Sequence, residues 1–179
     1  VEGHSFSKSE LNIYEYPSDS ELKNYPIKSI FLGYFEKWDS IRNYEIAKKN
    51  GFKEYSAGLE GCHFNFEKLD NYQHGIHDYF KFLKFGFARS TDQLSYLVRR
   101  GLIPRNEAIK IAEEKEGNFP RSYLGKSLED ILKKIGLTVD DFDIICDKFT
   151  NKKIFKCNQS GELIKDNHKN LKKISYDNI

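Results

Sequence analysis

Four groups of side chains in this 179-residue sequence have types and spacings suited to chemistry. The first is Lys84-Phe85-Gly86-Phe87-Ala88-Arg89, running into Ser90-Thr91-Asp92. A helix stops at a glycine and a guanidinium stands just before the next helix start. Free amides and a planar cationic fork there suit a phosphate or a carboxylate. The competing reading is a solvated turn in which Arg89 pairs with Asp92. The second is Arg99-Arg100-Gly101-Leu102-Ile103-Pro104-Arg105, three arginines around a helix–helix turn that could face an anionic ligand or an acidic partner. A cation at a helix C-terminus accounts for Arg100 without any ligand.

The third group, Cys62, His63, His74 and His77, has metal-capable types, but one loop thiol completes the set poorly and no metal site is expected. The fourth is Lys37-Trp38-Asp39, which follows an apolar run. Asp39 is read there both as a helix N-cap and as a carboxylate outside the carboxyl end of a strand, where ligands of open α/β sheets sit. Glycine-rich phosphate loops, G-x-S-x-G and H-E-x-x-H are all absent from the sequence.

The elements that must hold these residues follow from periodicity and punctuation. Residues 1–26 read as an irregular, tyrosine-rich lead-in, and Ile27 to Tyr34 as one buried strand. Asp39 caps a helix over 40–50 that Gly51 stops. After a loop over 52–73, Ile76, Tyr79, Phe80 and Leu83 recur at helical spacing from His74, with Gly86 as the end. Short helices follow: Ser90 and Gln93 predict a capping box with Gly101 as the stop, and Pro104 opens a helix closed by Gly117. Another spans 126–135, and Thr138 with Asp141 boxes the last. Segments 152–157 and 162–165 predict a β-hairpin, and the lysine-rich stretch from Asn167 a frayed tail. No internal repeat is apparent.

Composition narrows the function classes. A balance of 29 basic against 27 acidic residues gives +2, which does not favour a nucleic-acid partner. Three cysteines without a CxxC pair predict reduced, structural thiols. No apolar run approaches a bilayer span and no export signal is legible, which predicts a cytoplasmic protein without a membrane partner. The chain starts at Val1 and lacks methionine, which predicts a piece of something longer.

Lys37-Trp38-Asp39, Lys84-Phe85-Gly86-x-x-Arg89 and Arg99-x-Gly101-x-Ile103-x-Arg105-x-Glu107-Ala108 together resemble the C-terminal part of the N-acetyl sugar amidotransferase family, over roughly residues 27–165. These are PP-loop enzymes of bacterial pseudaminic and legionaminic acid, flagellin-glycan and O-antigen sugar biosynthesis. The resemblance implies an α+β, mainly α chain: the C-terminal portion of a PP-loop (HUP-type) α/β enzyme, with one strand–helix unit, a cluster of short helices and a C-terminal β-hairpin. Its parts would be 1–51 (lead-in and last strand and helix of the nucleotide fold), 52–150 (a helical subdomain covering the substrate) and 151–179 (hairpin and tail).

The implied activity replaces the oxygen of a sugar acetamido group by nitrogen. ATP, with Mg, would adenylate the amide oxygen, and ammonia from a partner glutamine amidotransferase would displace AMP. An amide is a poor electrophile until its oxygen can leave, so activation is what the chemistry needs. The family's S-G-G-x-D-S loop is absent from this sequence, so the chain alone is expected to be inactive. Charge and position within the resemblance make Asp39 the candidate catalytic residue. They make Glu60, Lys84, Arg89, Asp92, Arg99 and Arg105 the candidates for binding the sugar. Two other classes fit the same residues: a non-catalytic helical docking module, and a PP-loop relative that modifies tRNA.

Overall fold

The computed structural model describes residues 6–25 and 28–175, in two units, residues 1–43 and residues 44–179. The first unit carries α1 (Lys8–Leu11) and α2 (Asp19–Asn24), followed by a 3-10 turn, Leu32–Tyr34. The expected irregular lead-in is thus partly helical. Ser7 with Glu10 and Ser18 with Glu21 form reciprocal capping boxes, each serine accepting a backbone N–H while the glutamate accepts in return. The buried strand expected at 27–34 is not found among the described residues; Pro26 and Ile27 lie outside them. Ile30, Phe31 and Leu32 are exposed and no strand pairs with them. An apolar run satisfies a strand only if a neighbour supplies the hydrogen bonds.

Helix α3 (Ser40–Lys49) starts where Asp39 accepts the Arg42 N–H at 3.0 Å, and Gly51 follows with φ +94°. In the second unit α4 (His74–Phe85) ends at Gly86, whose φ of 76° only glycine adopts freely. It is followed by α5 (Arg89–Arg99) and α6 (Arg105–Lys115), which pack on each other. Then come β1 (Ser122–Tyr123) and β2 (Lys126–Ser127), an antiparallel hairpin whose turn residues Leu124 and Gly125 both have positive φ. Helices α7 (Leu128–Lys133) and α8 (Val139–Phe149) complete the helical part, with the expected Thr138–Asp141 box in place. The expected Ser90–Gln93 box is not formed. Helix α5 begins two residues earlier, with Ala88 at the N-cap position, Ser90 lies inside its first turn, and Gln93 turns to a loop instead.

The core is aromatic, as few valines dictate. Tyr79, Phe82 and Leu83 of α4 meet Phe119, Leu128, Leu132 and Phe142. Tyr79 and Phe142 each stand edge-on to Phe119 at 5.8 Å. Fully buried Phe155 closes the core against Phe82, ring centroids 5.3 Å apart.

Phe155 belongs to a C-terminal motif that exceeds the expected hairpin. The segments around 154–158, 162–166 and 170–174 form a closed ring. Lys156 N–H donates to Lys172 O (2.8 Å), Lys172 N–H to Ile164 O (3.3 Å) and Ile164 N–H to Lys156 O (2.9 Å). The pairs Phe155–Lys173, Cys157–Leu163 and Lys165–Leu171 bridge the segments. Two alike turns join them: the side chain of Asn158 accepts the amides of Ser160 and Glu162, and that of Asp166 accepts those of His168 and Asn170. Gly161 and Lys169 take positive φ at equivalent places. Of the tail expected to fray, residues 170–174 are the ring's third segment and residues 176–179 lie outside the described ones, and the chain does hold a repeat, eight residues long.

Lysines anchor the ring to α8. Lys165 contacts Asp143 and Asp147 at 2.6 Å each, while Lys169 contacts Asp143 at 3.0 Å and Asp140 at 3.2 Å. Burial pushes the Asp143 carboxyl up, but Lys165 and Lys169 outweigh it and hold it below the usual carboxylate range. Its stabilising contribution is therefore complete above that range and fades as pH falls through the lowered value. Asp143→Asn should cost about 1–2 kcal/mol at neutral pH. In urea unfolding its deficit should shrink as pH falls toward 3; a deficit constant with pH would rule out this account.

Candidate functional site

The sequence candidates do not gather at one point. Arg89, the first residue of α5, reaches back across the Gly86 corner to Asp78 on α4, with Nε to Oδ2 and Nη2 to Oδ1 both at 3.2 Å. Asp78 is buried, and Arg89 mostly so. Burial works against the Arg89 charge, but the bonds to Asp78 and the field of Glu67 overcome it and raise its pKa further. Asp92 pairs with Lys81 rather than with Arg89. Lys84 points the other way, its ammonium 5.0 Å above the ring of Phe149 on α8. The run Lys84 to Arg89 is thus a helix corner that divides its two cations between neighbours.

Arg99 and Arg105 line one cleft of about 350 Å³ between α5 and α6, over Leu94, Val98, Ala108 and Ile109. Neither forms an ion pair among the described residues. Asp39 caps α3, the helix within which the first unit gives way to the second, and is buried at 8% exposure.

A cleft of about 490 Å³, within the range of small-molecule sites, lies among α4, the start of α5, loop 59–61 and segment 114–121. Tyr79, Phe82 and Phe119 give it an aromatic floor, while Glu60, Asp78, Glu114, Glu116, Lys115, Asn118 and Arg121 supply polar groups. Two close approaches shape it. A Cβ at Gly117 would lie 2.5 Å from the Phe82 ring, and one at Gly75 would lie 2.7 Å from Tyr123. Neither wall tolerates a side chain there without moving an aromatic ring.

Several polar groups of the cleft serve its frame. Glu60 accepts the amides of Arg121 (2.9 Å) and Ser122 (3.0 Å) and the Ser122 hydroxyl (2.8 Å), fixing loop 59–61 to the start of β1. Glu116 accepts the Thr91 amide and hydroxyl at 2.5 and 2.9 Å, occupying the N-terminus of α5 with a carboxylate of the chain itself. Arg121 donates to His168 O, and Phe119 N–H donates to the side chain of Asn170, so the ring's second turn holds the cleft's lip.

Sequence reasoning missed Gln93. It is buried, accepts the amides of His63 and Phe64 at 2.7 and 3.0 Å, and donates to Glu67, pinning loop 59–67 to α5. It missed Asp78 as well, an acidic residue hidden in an apolar helix stripe. Burial raises the Cys62 thiol to about 12, so it is unreactive at neutral pH. Among the described residues no three His, Cys, Asp or Glu side chains converge as a metal site.

A mainly helical domain with a small antiparallel hairpin, a three-segment ring and an aromatic-floored cleft is the class that fold and site define. The family model described as LPS biosynthesis protein WbpG-like, C-terminal domain, matches residues 33–172, and the chain belongs to that family. No curated protein matches it significantly. The match includes α3 to α8 and nearly all of the ring.

Replacing Arg89 by Ala leaves the buried Asp78 with only the exposed His77 ring beside it, Nδ1 to Oδ1 at 3.1 Å. The loss in urea unfolding should be about 2–3 kcal/mol, and adding Asp78→Asn should recover part of it. An Arg89→Ala variant of undiminished stability would show that the pair does not hold the corner.

Proposed function

We propose that this chain is the C-terminal, sugar-binding part of an N-acetyl sugar amidotransferase that serves lipopolysaccharide biosynthesis. Membership of the WbpG-like family supports the biosynthetic setting. The cleft between α4 and segment 114–121 carries the rest of the reading. Its aromatic floor supplies an apolar backing, and the carboxylates and amides around it suit hydroxyls and an acetamido group. Arg121 and Lys115 on its wall suit a sugar bearing a carboxylate.

The residues present do not fit ATP. The sequence lacks a glycine-rich phosphate loop, Arg89 is committed to Asp78, and Glu116 fills the α5 N-terminus. We therefore assign adenylation, and the Mg it uses, to a part of the enzyme other than this chain, and the ammonia to a glutaminase partner. This chain's contribution is to hold the sugar and exclude water around the acetamido carbon. Arg99 and Arg105, on a separate cleft, and Asp39, in the other unit, are not assigned to sugar contact in this reading.

Calorimetric titration of the chain with N-acetylglucosamine, its uronic acid and glucose tests the proposal. Both acetamido sugars should bind and glucose should not. Arg121→Gln also loses the bond to His168 O, and should weaken the uronic acid about tenfold more than the neutral sugar, as loss of one charge-assisted hydrogen bond does. Equal, negligible heats for all three would remove the sugar from this cleft.

A further inference from the structure

The C-terminal ends of α4 and α8 are tied side by side. Asn151 N–H donates to Leu83 O at 2.9 Å, the Asn151 side-chain amide donates to Lys84 O at 3.3 Å, and Ile154 fills the space beside Gly86. This end of the unit exposes three phenylalanines: Phe85 at 59%, Phe149 at 51% and Phe87 at 40%. Phe85 and Phe87 stand 6.2 Å apart. Lysines adjoin them along the chain: Lys84 at the end of α4, Lys148 at the end of α8, then Lys152, Lys153 and Lys156 leading into the ring. Lys148, Lys153 and Lys156 are exposed and form no ion pair among the described residues.

Carboxylates of α8 and α5 are already engaged, Asp147 and Asp143 by Lys165 and Asp92 by Lys81. A net charge of +2 over the whole sequence therefore conceals a locally cationic, aromatic surface.

We propose that this surface docks the protein on an anionic membrane surface. Lysines near a bilayer gain from its negative potential, and phenylalanine side chains gain by entering the acyl boundary. Four features favour lipid over nucleic acid. The exposed rings are phenylalanine alone, and the cations around them are lysine, point charges without the planar fork that grips phosphates. One face of two of the three rings that could stack on bases is covered, Phe149 by Lys84 at 5.0 Å and Phe87 by Lys81 at 4.8 Å. Ring edges remain open, and an edge suffices for insertion. The expected absence of a membrane partner rested on the lack of a spanning segment. Among the described residues no helix is long and apolar enough to cross a membrane, and that does not bear on surface attachment.

The test is co-sedimentation of the full chain with vesicles of phosphatidylglycerol and phosphatidylcholine in equal parts, and with pure phosphatidylcholine. Binding should require the anionic lipid and fall as salt rises. Lys148→Gln and Lys153→Gln should each lower the partition coefficient about fivefold, and Phe85→Ser at least as much. These positions are exposed, so circular dichroism should be unchanged. Partition equal on both vesicle types, or undiminished in the variants, overturns the proposal. So does retention on poly(U) RNA without vesicle binding, which would assign the surface to nucleic acid. The readout needs no catalysis and stands or falls apart from the sugar reading.

Discussion

Burial of Phe155 is the contact on which the rest of the second unit depends. Its ring fills the last face of the aromatic core against Phe82, and the three segments of the C-terminal ring hang on that anchor. The ring's second turn then reaches the cleft: Asn170 holds the Phe119 amide and His168 O holds the Arg121 guanidinium. Core, ring and cleft form one chain of dependence. A short β-like motif of this size cannot sustain itself, so the ion pairs from Lys165 and Lys169 to α8 and the sealed Phe155 together keep it in place. Lys169 does this with a positive φ, at a cost of about 1–2 kcal/mol, which its contacts with Asp140 and Asp143 offset.

Much of the helical part was legible because each helix carries its own punctuation. His74 to Phe85 ending at Gly86, the Asp39 cap and the Thr138–Asp141 box are local events, settled by residues within a turn of each other. What failed were features decided at a distance. Ile30 to Leu32 has the composition of a strand, but strands need partners and composition supplies none. Ser90 and Gln93 have the spacing of a capping box, yet loop 63–64 offered Gln93 two amides and the box was not formed. The ring escaped notice because its repeat lies in the Asx turns at Asn158 and Asp166, while few of the eight positions in the two copies are identical, Leu163 and Leu171 among them. Leu124 in a positive-φ turn gives no warning of a hairpin, since asparagine or glycine is the usual sign.

Charge was misread in the same way. A total near neutrality argued against polyanionic partners, but a total says nothing about where charge sits. Helix α8 spends its aspartates on Lys165 and Lys169, and this strips the adjoining end of carboxylates that could answer Lys148, Lys153 and Lys156. The brace that secures the ring thereby creates the cationic surface beside it.

The same accounting changes what the corner between α4 and α5 can bind. From sequence, Arg89 beside a helix start suggests a seat for phosphate. In the fold both attractions are satisfied internally: Asp78 takes the guanidinium, and Glu116 takes the Thr91 amide and hydroxyl. A phosphate entering there would have to displace a carboxylate from its donors, Asp78 from Arg89 or Glu116 from Thr91, a cost of a few kcal/mol. A neutral sugar faces no such competition. Its hydroxyls can both donate to and accept from groups already ion-paired, because a carboxylate bonded through one lone pair keeps others for a further donor. The internal pairing that makes this corner a poor phosphate site is what the proposed binding of a polyol carrying an amide relies on.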